Sequence, residues 1–546
     1  MKASPPMLAL LLVSAALPLH AQNARVDSVF AQYDTKDSPG CAVGVFRNGQ
    51  MAYSRGYGMA NIELGVPISP EHVFYVGSVS KQFTAMSIAL LVQDGKISLD
   101  DDVRKYVPEV PDLGKRITIR HLVHHLGGLR EKWDLFTMAG MRDGDVVTQA
   151  DVIDLVKRQK AANFNPGDEH LYSNTGYDIL STIVQRVSGK SHREFAQERI
   201  FGPLGMTKTR YIDDRTLVLP GRADAYAPKR GGGGGYITSN VSHVETTGSG
   251  GVHSTIPDLL RWDESFYTGA LGGSTLTTMV QTPGTLNNGD KLTYAFGLTV
   301  DSYGGRRRVQ HGGALGGYRA MLMRFPDEHF SVAMLCNVAT ANTMLLAERV
   351  ADVYLTKPVA SANADGNVPL GEDQPIRYAG LYFNYRTEGL MRFVARNGAV
   401  AVEGGAPLKH EGSHQFRMGN QETTLKFDAT QAGLAERVRV MRPGARESVY
   451  ERVAEVTPTA AQLSELAGNY RSDELNTTWR VDQREGKLMI TGANGEVSVA
   501  LTPLFADAFS GAGWVIRFGR ASGRVTGLTV TTGRSRRVAF AREASR

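Results

Sequence analysis

Two apolar, strand-like runs, 40–47 and 51–58, flank Asn48-Gly49, a pair that tolerates the positive backbone dihedrals of a tight hairpin turn. A β-hairpin is expected there. From Ser78 the pattern turns helical: Phe83, Met86, Leu90 and Leu91 fall at i, i+3, i+7 and i+8, and the run stops at Asp94-Gly95. Ser78 therefore stands at a helix start. Residues 116–206 alternate helical spacing with Gly and Pro punctuation, including a helix over 178–187 closed by Gly189. Strand patterns resume at 295–301, 308–311, 318–325 and 331–338, and a last helical pattern covers 342–354. Strands at both ends of a region that encloses helices predict one antiparallel sheet with a helical insertion.

Between 357 and 375 the composition shifts to Ala, Asn, Asp, Gly and Pro, too polar to order itself, and reads as a linker. Beyond it lies a repeat. Ala379-Gly380-Leu381-Tyr382 returns 88 residues later as Ala467-Gly468-Asn469-Tyr470, as Gly398 does at Gly486 and Gly404 at Gly492. Strand-like alternation around those glycines predicts two copies of a small antiparallel β-barrel. The glycine run 231–235 lacks the preceding strand and following helix of a phosphate cradle and reads as a surface loop.

A chain of 546 residues exceeds one core, so two or three domains are expected. At 42% hydrophobic and 21% charged residues the composition is that of a globular protein. The net charge of +6 is scattered apart from Arg306-Arg307-Arg308, read as a solvated hairpin, and without a basic stripe nucleic-acid binding is set aside. Lys2 and the apolar run 7–19 read as a secretory signal peptide ending at Ala21, too short for a membrane span, so a periplasmic or secreted protein without a stable membrane span is expected. Cys41 and Cys336 both sit in strand-like runs, where a single bridge and two buried thiols are equally compatible with the pattern. His121, His124 and His125 lack an intervening Glu and a third ligand, so no metal and no cofactor is expected.

Ser78-Val79-Ser80-Lys81 sets a hydroxyl and an ammonium one helical turn apart, and a cation plus the helix N-terminus both favour the developing alkoxide. Tyr172-Ser173-Asn174, between Pro166-Gly167-Asp168 and a helix, offers a phenol and an amide to a cleft. A tyrosine beside lysine and histidine is expected to lose its proton more readily than free phenol. Tyr382-Phe383-Asn384 has the same letters, and spacing alone does not choose between them. His311-Gly312-Gly313 ends a strand and continues into Ala314-Leu315-Gly316-Gly317, where missing side chains let a substrate approach the backbone.

In this order the three motifs make the chain resemble the penicillin-recognising serine hydrolases, the group of class C β-lactamases, D,D-peptidases, D-aminopeptidases and related esterases. Supporting segments are 121–129, Pro203-Leu204-Gly205-Met206 and 250–255. The resemblance implies a mixed α/β fold, a β-lactamase-like antiparallel sheet flanked by helices with a helical subdomain, followed by the two β-barrel domains. The expected divisions are 1–21, 22–357, 358–374, 375–455 and 456–546. It further implies that Ser78 attacks, that Lys81 and Tyr172 share the proton work with either as base, and that Asn174 orients substrate and Lys81. Backbone N–H groups of Ser78 and Ala314 would form the oxyanion hole, and His311 and Gly313 would contact substrate.

Where β-lactamases carry Lys-Thr-Gly this chain has His311, largely neutral at pH 7, so amides and esters without a carboxylate are favoured over penicillins. His-x-Gly together with two barrels is similar to the D-aminopeptidases, in which a loop of the last barrel reaches the site. Residues 507–513 would be that loop, with Asp507 meeting a substrate ammonium. The expected partner is therefore a small molecule or short peptide: D-amino-acid-containing peptides or amides first, then carboxylesters, then β-lactams or D,D-carboxypeptidase substrates. A non-catalytic binding protein on the same fold is the alternative. Gly-x-Ser-x-Gly is absent, against an α/β-hydrolase.

Overall fold

Asn48 and Gly49, both at positive φ, turn β1 (Cys41–Arg47) back into β2 (Gln50–Tyr57), the expected hairpin. The computed structural model describes residues 19–544 apart from 143, 230, 232–233, 356–369, 371–373, 419–422, 429–432, 443–444 and 493. The expected signal peptide lies outside the described residues up to Pro18, and the expected linker 358–374 lies outside them except for Leu370 and Gln374.

The hairpin joins four strands from the other side of the helical region: β3 (Thr299–Tyr303), β4 (Arg306–Leu315), β5 (Tyr318–Phe325) and β6 (Phe330–Cys336). All pair antiparallel in the order β3-β4-β5-β6-β1-β2. β6 is buried along its whole length, which explains why its sequence is continuously apolar rather than alternating. Helices Leu19–Phe30 and Thr343–Tyr354 cover one face of the sheet, with Val26, Phe30, Leu346 and Val350 in its core. Helix Ile256–Thr268 and the helical insertion cover the other through Ile256, Leu259 and Trp262. β1 and β6 are neighbours, and Cys41 faces Cys336 across them in a disulfide.

β3 starts four residues later than its apolar pattern predicts. Gly297 takes φ +67 and breaks the extension, and a Cβ there would stand 2.6 Å from the Lys81 carbonyl carbon. The segment is a turn pressed against the Ser78 helix. In the Arg306-Arg307-Arg308 triplet, Arg308 is buried and paired with Asp301 and Glu348, so burial reaches further into this hairpin than its charge pattern suggests.

Both 88-residue repeats fold as eight antiparallel strands. In the second, Gly468–Ser472 to Val538–Arg542, the ladder closes into a barrel. In the first, Gly380–Phe383 to Ala445–Arg452, the ladder stays open as a half-barrel rather than the expected barrel: among the described residues the edge strands Ala399–Val402 and Lys409–Gly412 are joined by the Ala401–Pro407 bridge and the bond from Leu408 N–H to Val400 O, 2.7 Å. The repeated tyrosines do the same work: Tyr382 donates to Tyr378 O (3.0 Å) and Tyr470 to Leu466 O (2.7 Å).

The closed barrel docks on helix Lys132–Ala139, whose Leu135 and Met138 enter its core, and Trp479 donates its indole N–H to Met138 O at 3.0 Å. Beside it Arg130 and Glu474 form a buried ion pair. Among the described residues no helix is long and apolar enough to cross a membrane.

Candidate active site

Ser78 sits in the 3-10 turn Gly77–Val79 that runs into helix Ser80–Gln93, the central helix of the larger core. One turn on, the fully buried Lys81 reaches back with Nζ 3.1 Å from Ser78 Oγ. Its other bonds go to Asn174 Oδ1 and to Ser249 O, both 2.8 Å. Asn174 opens helix Asn174–Ser188, and Tyr172, just before that helix, lines the same cleft as Ser78. Lys81 Nζ lies 4.7 Å from the centre of the Tyr172 ring.

The third wall is β4. Its pairing with β3 ends at Gln310, so residues 311–315 continue unpaired on that side. A Cβ on Gly313 would stand 2.0 Å from Val76 O and 2.9 Å from Ser78 N. Bare backbone at Gly77 and Gly313 thus brings the N–H groups of Ser78 and Ala314 to one place, the arrangement an oxyanion hole needs. Ser78, Tyr172, Asn174, His311, Gly313 and Ala314 all line one cleft of about 660 Å³.

Behind Lys81 lies a buried charge network. The Glu131 carboxylate accepts from Asn174 N–H (2.7 Å) and Asn174 Nδ2 (2.8 Å). Asp178 accepts from Ser249 N–H (2.9 Å) and pairs with Lys132 Nζ at 2.6 Å. Burial pulls the Lys81 ammonium down to about 7, against the upward pull of Asp178 and Glu131 and with the help of Lys132 and Arg534. The lysine therefore holds a substantial neutral fraction near neutral pH and can accept a proton. Burial likewise pushes His311 down to about 4, so it meets the cleft neutral. Its Nε2 lies 3.0 Å from Tyr294 Oη.

Residues 26–355 match the family model described as Beta-lactamase. The chain belongs to the Beta-lactamase family. It is a serine hydrolase of that fold. Curated relatives include a D-aminopeptidase of Gluconobacter oxydans (strain 621H), 26% identical over 521 residues that cover 90% of this chain and 93% of that one. A D-aminopeptidase of Brucella melitensis biotype 2 is 26% identical over 92% of this chain and 96% of its own. Among solved structures, an octameric penicillin-binding protein homologue from Pyrococcus abyssi has the same fold, with a TM-score of 0.55 at 20% identity, covering 87% of this chain and 98% of that one. These alignments take in the C-terminal barrels as well as the hydrolase fold.

Within this family member two expectations, on Tyr172 and on Asp507, need correction. Tyr172 is not made more acidic by its neighbours: burial outweighs the downward pull of the Ser78 side chain and the Arg534 charge, and its phenol is held well above the ordinary value. Asn174 bonds Lys81 through Oδ1 and Glu131 through Nδ2, which orients the lysine, and it also lines the cleft. Asp507 is not in the cleft. It pairs with Arg520 in the turn between strands Ser498–Phe505 and Ala508–Gly511 and lines a different hollow with Glu465 and Phe505. The reason is topological: successive turns of an antiparallel barrel alternate between its two ends, and this one opens at the end away from the hydrolase.

The loop that does reach the cleft is 532–537, carrying Arg534, whose guanidinium carbon lies 5.1 Å from the centre of the Tyr172 ring. Sequence reasoning missed it, together with Glu131, Lys132, Asp178 and Tyr294. One signal was available: Arg130-Glu131-Lys132 directly follows the noted segment 121–129, and all three are at most 2% exposed, as three consecutive charges rarely are without a task. Tyr382-Phe383-Asn384 lies in the first repeat, with Tyr382 packed on Phe393 and Phe427, and takes no part.

Proposed function

We propose that the protein is an exported hydrolase that opens amide bonds in D-amino-acid-containing peptides or amides through an acyl-enzyme on Ser78. The observation that carries the reading is Lys81 Nζ at 3.1 Å from Ser78 Oγ, buried and drawn down to about 7. Neutral Lys81 takes the Ser78 proton as Oγ attacks the substrate carbonyl carbon. The oxyanion forms against the Ser78 and Ala314 N–H groups. The leaving nitrogen takes its proton from Tyr172, which is replenished by Lys81, and water then attacks the ester by the reverse proton path. Unpaired backbone at 311–315 offers the acyl chain an extended partner.

Two features support the substrate and location. The D-aminopeptidase relatives align over nine-tenths of the chain, barrels included. The apolar run 7–19 and the Cys41–Cys336 disulfide both suit an oxidising compartment outside the cytoplasm.

The test is release of nitroaniline from D-alanine p-nitroanilide by the protein and by Ser78→Ala, with the L-anilide and p-nitrophenyl acetate alongside. Serine-dependent turnover of the D-anilide supports the reading. Serine-dependent turnover of the acetate alone overturns the amide assignment, and labelling of Ser78→Ala by a fluorophosphonate to the same extent as the parent overturns the acyl-enzyme.

A further inference from the structure

The charged side chains lining the cleft are Arg319 and Arg534, and no lining residue is a carboxylate. Arg319 is tied down at Nη1 by the carbonyls of Gly316 and Tyr318 on its own hairpin, and Arg534 is the cleft cation that lies against the Tyr172 ring. Arg534 is exposed, and among the described residues it has no ion-pair partner.

Its backbone, by contrast, is pinned. Asn163 Nδ2 donates to Arg534 O at 2.8 Å, Arg536 N–H donates to Asn163 Oδ1 at 2.8 Å, and Arg534 N–H bonds Thr532 Oγ1 at 3.1 Å. Glu131 N–H donates to Ser535 Oγ at 3.1 Å, and Arg130 donates to Arg536 O and Arg537 O. The loop is therefore fastened to the same segment that places Asn174 and Lys81. A cation held on a rigid loop over the nucleophile's neighbour, within the field of the buried Glu131 but with no carboxylate in direct contact among the described residues, is arranged for an anion from outside.

We propose that Arg534 binds a carboxylate on the leaving-group side of the substrate, so that the site prefers substrates bearing a free acid there over neutral or ammonium-bearing ones. The inference rests on the acyl-enzyme reading of Ser78. The side follows from Tyr172: a protonated phenol in the cleft beside Ser78 stands where a leaving atom collects its proton, and Arg534 lies against that ring. Arginine suits the task because its planar fork matches a carboxylate, and the neutral His311 supplies no competing charge. The position where a carboxylate for a substrate ammonium was expected thus carries the opposite sign.

The experiment uses two matched pairs with the full chain: N-acetyl-D-alanyl-D-alanine against its C-terminal amide, and 4-acetoxybenzoate against its methyl ester. The second pair places the acid on the leaving group without any D-amino acid. The expected kcat/KM ratio of acid to neutral partner is about tenfold to a hundredfold in either pair that turns over, the range of a charge-assisted hydrogen bond. It falls to near one in Arg534→Ala, largely survives in Arg534→Lys, and inverts in Arg534→Glu. Added salt lowers it in the unmodified protein, a readout that needs no variant to fold.

A ratio near one in the unmodified protein, or one unchanged in Arg534→Ala, overturns the inference. Acid preference on the acetoxybenzoates with no cleavage of either peptide leaves Arg534 assigned and removes the D-peptide reading. Cleavage of both peptides at equal rates does the reverse. Turnover of neither pair removes both.

Discussion

Gly77 and Ala314 meet backbone to backbone: a Cβ added to Gly77 would stand 2.6 Å from the Ala314 nitrogen. Gly313 completes the contact from the strand side, against Val76 O and Ser78 N. Gly313→Ala must push β4 off the Ser78 turn and separate the two N–H groups. The expected result is a loss of about 10²–10³ in kcat, the usual effect of losing an oxyanion donor. Burst kinetics and fluorophosphonate labelling of Ser78 check it, and both should slow together.

The Lys81 ammonium sets the pH profile. Protonated lysine cannot take the Ser78 proton, so kcat/KM should fall about tenfold per pH unit below a limb near 7 and stay level above it. Tyr172, held protonated by burial, adds no descending limb in the neutral range, and His311 titrates too low to shape it. Arg534 depresses Lys81, so Arg534→Ala should move the limb upward. A kcat/KM profile from pH 5 to 9 decides this.

Glu131 acts through Asn174 as a positioning residue. Its carboxylate holds Lys81 up, so Glu131→Gln should shift the activity limb toward lower pH while lowering kcat by about 10–10², as Asn174 loses its fixed orientation. A purely structural role would lower activity without moving the limb.

Glu474→Gln leaves Arg130 as a buried charge without its partner, which costs about 3–5 kcal/mol. Because Arg130 also holds the carbonyls of Arg536 and Arg537, the 532–537 loop should loosen. Hydrogen exchange should rise there, and the acid preference assigned to Arg534 should weaken before Ser78 labelling does.

The Cys41–Cys336 bridge joins strands 295 residues apart in the chain. Replacing both cysteines by serine should lower stability by about 2–5 kcal/mol through the freed unfolded state, with the Ser78 to Lys81 geometry unchanged. Urea melts of both forms, with and without reductant, test this against labelling of Ser78.

Features written in neighbouring residues were legible from the chain. Asn48-Gly49 makes its hairpin, Ser78 and Lys81 meet across one turn, β5 spans Tyr318–Phe325 as its pattern predicts, and the 88-residue repeat is seen again in the paired Tyr382 and Tyr470 bonds. Each is decided by dihedral preference or by spacing along one element, which sequence reports directly.

What only the tertiary structure decided depends on segments far apart in the chain. Whether two cysteines bond turned on β1 lying beside β6. Which barrel turn faces the cleft turned on the parity of turns around a closed sheet, which sends Asp507 away and Arg534 in. That Tyr172 is the less ready base, and Lys81 the readier, turned on burial, because desolvation raises a phenol and lowers an ammonium.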